Sequence, residues 1–96
     1  MLFSWSERKN GINQKKHSIS FEVAQSVFSD PYHLVTEDCF IEGEQRYQAV
    51  GLTDGALLLV VVIVYRDTSL GEEIIHIISA RKAEHYERSA YEEQFG

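Results

Sequence analysis

The chain of 96 residues contains one cysteine, one proline and no apolar run long enough to span a bilayer. The single cysteine, Cys39, excludes an internal disulfide, so we expect a reducing, cytoplasmic location. The N-terminus lacks a basic start followed by a long apolar stretch, so we expect no signal peptide. Together these absences predict a protein without a membrane partner.

Positive charge is also scarce. The chain has 9 lysines and arginines against 15 aspartates and glutamates, which gives a net charge of −6. This balance argues against a broad basic surface for nucleic acid, so any anion-binding site must be a local cluster. A hydrophobic content of 44% suffices for one core, and we expect residues 1–96 to form a single domain.

Signatures of several common chemistries are missing. The four histidines and Cys39 do not have the spacing of metal ligands. There is no glycine-rich phosphate loop and no nucleophile elbow. The sequence therefore predicts neither a metal nor a cofactor.

The first third of the chain predicts two helices. Ser4 or Ser6 is a suitable N-cap for a polar helix that reaches about His17. Ser20 is a suitable cap for a second helix with an apolar stripe, and this helix stops before Pro31. The first helix has so few apolar residues that we do not expect it to be deeply buried.

The remainder predicts strands and one further helix. Strands are expected at residues 34–37, 46–52, 57–66 and 73–80, a loop at 39–44, and a helix at about 82–94. Short connections favour antiparallel neighbours, so the fold class expected is α+β, a four-stranded antiparallel sheet with two N-terminal helices and one C-terminal helix. The last two strands are apolar on both faces, and we expect a second chain to supply part of their cover.

Basic residues and histidines from separate segments form a candidate site for a phosphodiester. They are Lys9, Lys16 and His17 in the first helix, Arg46, Arg66 and His76 in strands, and Arg81 and Lys82 at the last strand–helix junction. Arginine makes planar, bidentate contacts with phosphate, lysine supplies a point charge, and histidine moves protons near neutral pH.

Each of these residues also has an ordinary structural interpretation. His17 could interact with the C-terminus of its own helix, and Arg66 could pair with Asp67. His76 could equally be a core histidine bonded to a backbone carbonyl. Arg81 is expected at a helix N-terminus, where the helix dipole disfavours a cation, and this conflict favours a functional role.

Beyond single residues, the order and spacing of motifs along nearly the whole chain resemble the BrnT-type toxin family. The matching positions are Lys9, Asn13, Lys16-His17, Ile19-Ser20-Phe21-Glu22, Ala24, Val27-Phe28 and Asp30-Pro31, then Gly43-Glu44 and Arg46, then Leu58-Leu59-Val60-Val61-Val62 and Tyr65-Arg66, then Ile77-Ile78-Ser79-Ala80-Arg81-Lys82-Ala83, Glu87-Arg88 and Tyr91-Glu92. The combined pattern is specific, although no single motif is.

The resemblance implies a RelE-like ribonuclease fold and the toxin half of a type II toxin–antitoxin pair. The partner implied is a BrnA-like ribbon-helix-helix antitoxin. The toxin would cut RNA and inhibit translation, and the complex would contact operator DNA only through the antitoxin. A higher-order toxin–antitoxin complex is compatible with this arrangement.

The mechanism implied uses no metal: a base takes the 2′-hydroxyl proton, the oxygen attacks the phosphate, and an acid protonates the leaving 5′-oxygen. The roles expected are phosphate binding by Arg66 and Arg81 with help from Lys82, proton transfer by His17 or His76, and RNA-backbone contact by Lys9, Lys16 and Arg46. His76 and Arg81 have opposite parity along a regular strand, so they share a site only if the strand ends or bulges between them.

Three departures from the family pattern bear on activity. Ser18 stands where the family commonly has glycine, Ile63 where it often has histidine, and His76 where it often has arginine. They motivate an alternative, a catalytically degenerate module that keeps the fold and binds only a ribbon-helix-helix repressor. A structural domain unrelated to RNA is the third interpretation, and the match along the whole chain disfavours it.

Overall fold

A computed structural model describes residues 1–96, which form one five-stranded sheet with three helices. The elements are β1 (Leu2–Ser4), α1 (Glu7–His17), α2 (Phe21–Gln25) with a following 3-10 turn (Ser26–Ser29), β2 (Leu34–Ile41), β3 (Glu44–Leu52), β4 (Leu58–Asp67), β5 (Glu73–Lys82) and α3 (His85–Glu92), which ends in a second 3-10 turn. The strand order across the sheet is β1-β5-β4-β3-β2.

The four-stranded antiparallel sheet predicted from the sequence is wrong. The segment before α1 is a strand, and it pairs with β5 in parallel, with Leu2 opposite Ile74 and Ser4 opposite His76. The sheet is therefore mixed, although its other pairs are antiparallel. Three residues are too few for an alternating pattern to show, and only the open edge of β5 gives this segment a partner.

Two predicted boundaries also need correction. Residues 39–41 belong to β2, and the turn into β3 consists of Glu42 and Gly43, which both have positive φ (50° and 80°), as a tight hairpin turn requires. At the other end, β5 continues through Lys82 and α3 begins at His85, with Glu84 as its N-cap. Arg81 and Lys82 consequently lie on a strand, so the predicted conflict with a helix dipole is absent.

The helix α1 is held by side-chain amides instead of an apolar face. Its N-cap is Ser6, one of the two serines predicted, and its Ile12 is exposed. Asn13 donates to the carbonyls of Ile19 and Ala80 and accepts from the Ala80 N–H at 2.8, 2.8 and 3.1 Å. Because β1 is short, the edge of β5 beyond it is free, and Asn13 fills the hydrogen bonds that another strand would make there.

The main core lies between one face of the sheet and α2. Its buried members are Ile19, Phe21, Ala24, Val27, Ala49, Leu59, Val61, Ile63, Ile75, Ile77 and Ala80. As predicted, β4 is buried on both faces over Leu58–Val61. We call the face of the sheet opposite α2 the outer face.

One end of the outer face is covered by α3. The Tyr91 hydroxyl donates to Asp30 at 2.6 Å, and burial together with this carboxylate raises the pKa of Tyr91 to about 12. Asp30 also accepts from the Leu52 N–H, so one carboxylate joins α3 to β3. The other end of the outer face has no covering helix, and His76 and Arg66 lie there.

Candidate functional site

The register of β4 and β5 determines which candidate residues share the outer face. Val64 lies opposite His76 and Val60 opposite Arg81, but the register shifts between Val62 and Ile63. Ile78 is the extra residue of this bulge, and it reverses the alternation of side chains along β5. His76 and Arg81 therefore lie on the same face, which meets the condition that the sequence left open.

His76 is half-buried, and Ser4 Oγ lies 2.7 Å from its Nδ1. Its partner is a hydroxyl and not a backbone carbonyl, so the interpretation as a core histidine bonded to a carbonyl is wrong. Burial lowers the pKa of His76, the charges of Arg66 and Lys9 lower it further, and Glu44 acts in the opposite direction. The imidazole is consequently neutral near pH 7 and suited to accepting a proton.

Arg66 pairs with Glu44 and not with Asp67, with Nε 3.6 Å from the carboxylate oxygen. Both side chains are about half exposed, at 47% and 48%, so this ion pair contributes only about 0–1 kcal/mol. A phosphate can replace the Glu44 carboxylate at little cost. We call Ser4, Lys9, Glu44, Arg66 and His76 the His76 cluster.

Arg46 belongs to the same end of the outer face. The β3–β4 register pairs Tyr47 with Ile63, which places Arg46 opposite Val64 and next to the row of His76. A shallow cavity of about 330 Å³ lies at the β2–β3 turn, and its lining includes Tyr47 and Tyr65 from the core face of the sheet. The cluster is open to solvent at Arg66 and Glu44, whose side chains are about half exposed.

Arg81 is on the outer face but has a carboxylate partner of its own. Its two terminal nitrogens donate to the two Glu87 oxygens at 2.7 Å each, and Glu87 is only 7% exposed. The hydrogen bond from Arg81 lowers the pKa of Glu87 and raises that of Arg81. This bidentate pair attaches α3 to β5, and phosphate binding by Arg81 stays a prediction.

The remaining basic residues lie away from the His76 cluster. Because α1 runs along β5 in the same direction, Lys9 lies near His76 and Asn13 reaches Ala80. His17 is then separated from His76 by about 10 Å along the strand plus about 6 Å along the helix. Lys16 is at the same end as His17, and Lys82, which pairs with Leu59, points to the other face. His17 therefore lies at the opposite end of α1 from Lys9, and its role in proton transfer stays a prediction.

The structure also places two of the departures from the family pattern. Ile63 is fully buried and faces α2, so a histidine there would lie on the opposite face of the sheet from His76. Its replacement leaves the His76 cluster intact. Ser18 is left-handed, with φ 60° and ψ 25°, at the C-terminus of α1, which is the geometry that favours glycine.

Sequence reasoning missed two members of the cluster. Ser4 was considered only as a helix cap, because nothing local identifies a three-residue strand. Glu44 belongs to a matching motif, but its role depends on the antiparallel turn that carries it opposite Arg66. No group of three or more His, Cys, Asp or Glu side chains is arranged to hold a metal ion, and no helix is long and apolar enough to cross a membrane.

Among solved structures, the chain is similar to the crystal structure of the Brucella abortus ribonuclease toxin BrnT. The match has a TM-score of 0.58 and 22% sequence identity, and it covers 88% of this chain and 100% of that one. At this identity the likeness establishes the fold. No curated protein sequence matches the chain.

The family of the chain follows from its sequence. The model of a family described as the ribonuclease toxin BrnT of type II toxin–antitoxin systems matches residues 5–87. The chain therefore belongs to the BrnT family, which confirms the resemblance seen in its motifs and excludes an unrelated structural domain. Membership of a type II toxin–antitoxin family implies an antitoxin partner. The matched region ends at Glu87, so most of α3 lies beyond it.

Proposed function

We propose that this chain is an endoribonuclease toxin that cuts RNA at the His76 cluster. The observation that carries the proposal is that His76 and Arg66 share one open face of β5 and β4, where Ser4 bonds to the His76 ring and the charges of Arg66 and Lys9 help lower the pKa of His76. A base of this kind is neutral at pH 7, and the two neighbouring cations are available for a phosphodiester. Family membership supplies independent support.

The proposed reaction uses the side chains of the cluster. His76 takes the 2′-hydroxyl proton while O2′ attacks the adjacent phosphorus. Arg66 exchanges Glu44 for the phosphate oxygens and stabilises the charge that develops on them. The P–O5′ bond breaks, a proton from solvent completes the leaving hydroxyl, and a 2′,3′-cyclic phosphate remains. Lys9 and Arg46 hold the RNA backbone on either side of His76.

The biological setting follows from the family. The antitoxin is proposed to be a BrnA-like ribbon-helix-helix protein that neutralises the toxin and carries all contacts with operator DNA. RNA cleavage inhibits translation in the cytoplasm, and toxin and antitoxin assemble into a higher-order complex. The acidic net charge of −6 is consistent with DNA contacts supplied by the partner.

One observation favours the second candidate, a degenerate module that binds the repressor without cutting RNA. The His76 cluster contains a single histidine for two proton transfers, because His17 lies at the opposite end of α1 from Lys9. A solvent proton at the leaving group makes cleavage slower than with a positioned acid. The two candidates differ in activity and share the antitoxin partner.

The test compares the native chain with His76→Gln, Arg66→Gln and a control, Arg88→Gln, at matched levels in bacteria. Arg88 is exposed on α3, away from the cluster. We expect growth arrest and RNA fragmentation from the native chain and from Arg88→Gln. With purified protein, loss of the base lowers the cleavage rate by about 100-fold or more.

The pH profile of cleavage adds a second criterion. Because the base must be neutral and the pKa of His76 lies below its ordinary 6.5, the acidic limb should fall below pH 6.5. A folded native chain that causes no arrest and cuts no RNA in purified form would reject the nuclease, and binding of an antitoxin would then support the degenerate module.

A further inference from the structure

Ser4 is the one hydroxyl-bearing member of the His76 cluster, and it reaches the cluster only through the parallel strand β1. Register places Ser4 directly opposite His76, and its hydroxyl is 2.7 Å from Nδ1 in a half-buried position. Both residues are fixed by strand pairing, β1 to β5 and β5 to β4. The hydrogen bond therefore restrains the imidazole ring at one nitrogen.

The other ring nitrogen is free. Nδ1 has Ser4 as its partner, and Nε2 makes no hydrogen bond within the chain. No buried side-chain nitrogen or oxygen lacks a hydrogen-bond partner, so Nε2 must be in contact with solvent. Because Ser4 is bonded to Nδ1, Nε2 is the ring nitrogen that can contact a substrate.

We propose that Ser4 is a positioning residue, which holds Nδ1–H of His76 so that the lone pair of Nε2 is directed to the RNA 2′-hydroxyl. The proposal rests on the proposed function. In the reaction the O2′–H bond breaks and an Nε2–H bond forms, while the O2′–P bond forms and the P–O5′ bond breaks. Ser4 Oγ accepts from Nδ1–H both before and after this transfer, so the ring keeps one orientation throughout.

The charged groups around His76 affect the pKa of its ring, and this effect can be distinguished from that of Ser4. They are Arg66 from β4, Lys9 from α1 and Glu44 from β3, and together with burial they set how readily the ring takes a proton. Ser4 from β1 has no charge, so its removal alters mainly which ring nitrogen carries the proton. An effect on the tautomer therefore distinguishes Ser4 from its charged neighbours.

The experiment uses Ser4→Thr and Ser4→Val, which have nearly the same shape and differ by the hydroxyl. Both are β-branched and suit a strand, so each is expected to preserve β1. Ser4→Ala is a third variant, and Ser79→Ala is the matched control, because Ser79 lies on the same face of β5 and makes no side-chain hydrogen bond. The tautomer of His76 is read from imidazole ¹⁵N shifts of the free protein.

We expect native protein and Ser4→Thr to carry the proton on Nδ1, and Ser4→Val and Ser4→Ala to shift it toward Nε2. With an RNA oligonucleotide, the variants without a hydroxyl should lose about 10-fold in kcat with KM unchanged, a part of the effect of the base itself. Ser79→Ala should match the native chain. In a His76→Gln background, Ser4→Val should cause no further loss.

An unchanged tautomer in Ser4→Val would overturn the proposal, and so would an altered tautomer with native kcat. A native chain that cuts no RNA would reject the proposed function instead, and the ¹⁵N shifts would still show whether Ser4 orients the ring. The two failures are therefore distinguishable from the same set of proteins.

Discussion

Ser18 ends α1 in the left-handed backbone conformation, with φ 60° and ψ 25°, and its N–H caps the carbonyl of Gln14. A residue with a Cβ pays a steric cost there that glycine does not. The family commonly has glycine at this position, and this chain retains the geometry without the residue that favours it.

We therefore expect Ser18→Gly to raise the free energy of unfolding by about 1 kcal/mol, measured by chemical denaturation. Ser89→Gly is the control, because Ser89 is exposed inside α3, where glycine lowers the stability of a helix by about 0.5–1 kcal/mol. The same substitution should thus have opposite signs at the two serines. A lower free energy of unfolding in Ser18→Gly would contradict backbone strain at Ser18.

At the scale of single residues, the sequence indicated which side chains suit a phosphodiester, but it did not indicate which side chains they contact. His76 and Arg66 were singled out because histidine and arginine suit a phosphodiester wherever they come together. Their contacts with Ser4 and Glu44 arise from residues 72 and 22 positions away in the chain, and no local pattern encodes such a pairing.

At the scale of secondary-structure elements, α3 is attached to the rest of the protein by side-chain hydrogen bonds at both ends. Arg81 and Glu87 join it to β5, and Tyr91 joins it to the turn that holds Asp30. Glu87 also accepts from the Glu84 N–H, which completes a capping box at the start of the helix. Removing Arg81 would leave this buried carboxylate without its cation.

We expect Arg81→Ala to lower the free energy of unfolding by about 1–2 kcal/mol at pH 7, the range for a partly exposed charged hydrogen bond. Amide exchange in α3 should accelerate, while exchange in β4 stays slow. The exposed Arg88→Ala is the control. Loss of RNA binding with unchanged exchange in α3 would instead support phosphate binding by Arg81.

The sign of the pH dependence follows from Glu87. Its pKa in the folded protein is lowered from 4.5, so its pairing stabilises the fold above pH 4.5 and is lost as the pH falls through the folded value. The difference in stability between the native chain and Arg81→Ala should therefore shrink below pH 4.5. A difference that persists in acid would show that packing of the arginine stem dominates.

Element prediction worked where a local signal exists. Caps identified the starts of α1 and α2, and alternation with apolar runs identified four of the five strands. The end of β5 was missed because its last residues, Arg81 and Lys82, are polar and become a strand only through pairing with Val60 and Leu59.

At the scale of the whole molecule, RNA binding depends on where the few basic residues of this acidic protein lie. The net charge is −6, yet Arg46 and Arg66 lie at one end of the outer face with His76, and the charge of Lys9 in α1 also acts on His76. The long-range field repels RNA, and only the local field attracts it. Binding should accordingly be weak and depend moderately on salt.

If Lys9, Arg46 and Arg66 each contact one phosphate of a single-stranded RNA, the logarithm of the association constant should fall with the logarithm of the salt concentration, with a slope of about −2. Fluorescence anisotropy with a single-stranded RNA that carries 2′-deoxy linkages measures binding without cleavage. Lys9→Gln should reduce the magnitude of the slope by about 0.7, and the exposed Lys15→Gln should leave it unchanged. Equal effects of the two lysines would contradict a localised site.

What could be read from the sequence alone was the family and the helix caps, because each depends on residue identity or on spacing within one segment. The tertiary structure alone decided which of the candidate site residues meet. The parallel pairing of β1 and the turn at Glu42 brought Ser4, Glu44, Arg66 and His76 together, and the bulge at Ile78 placed Arg81 on the same face as His76. Such contacts depend on strand register, and register is a property of the assembled sheet rather than of any one segment.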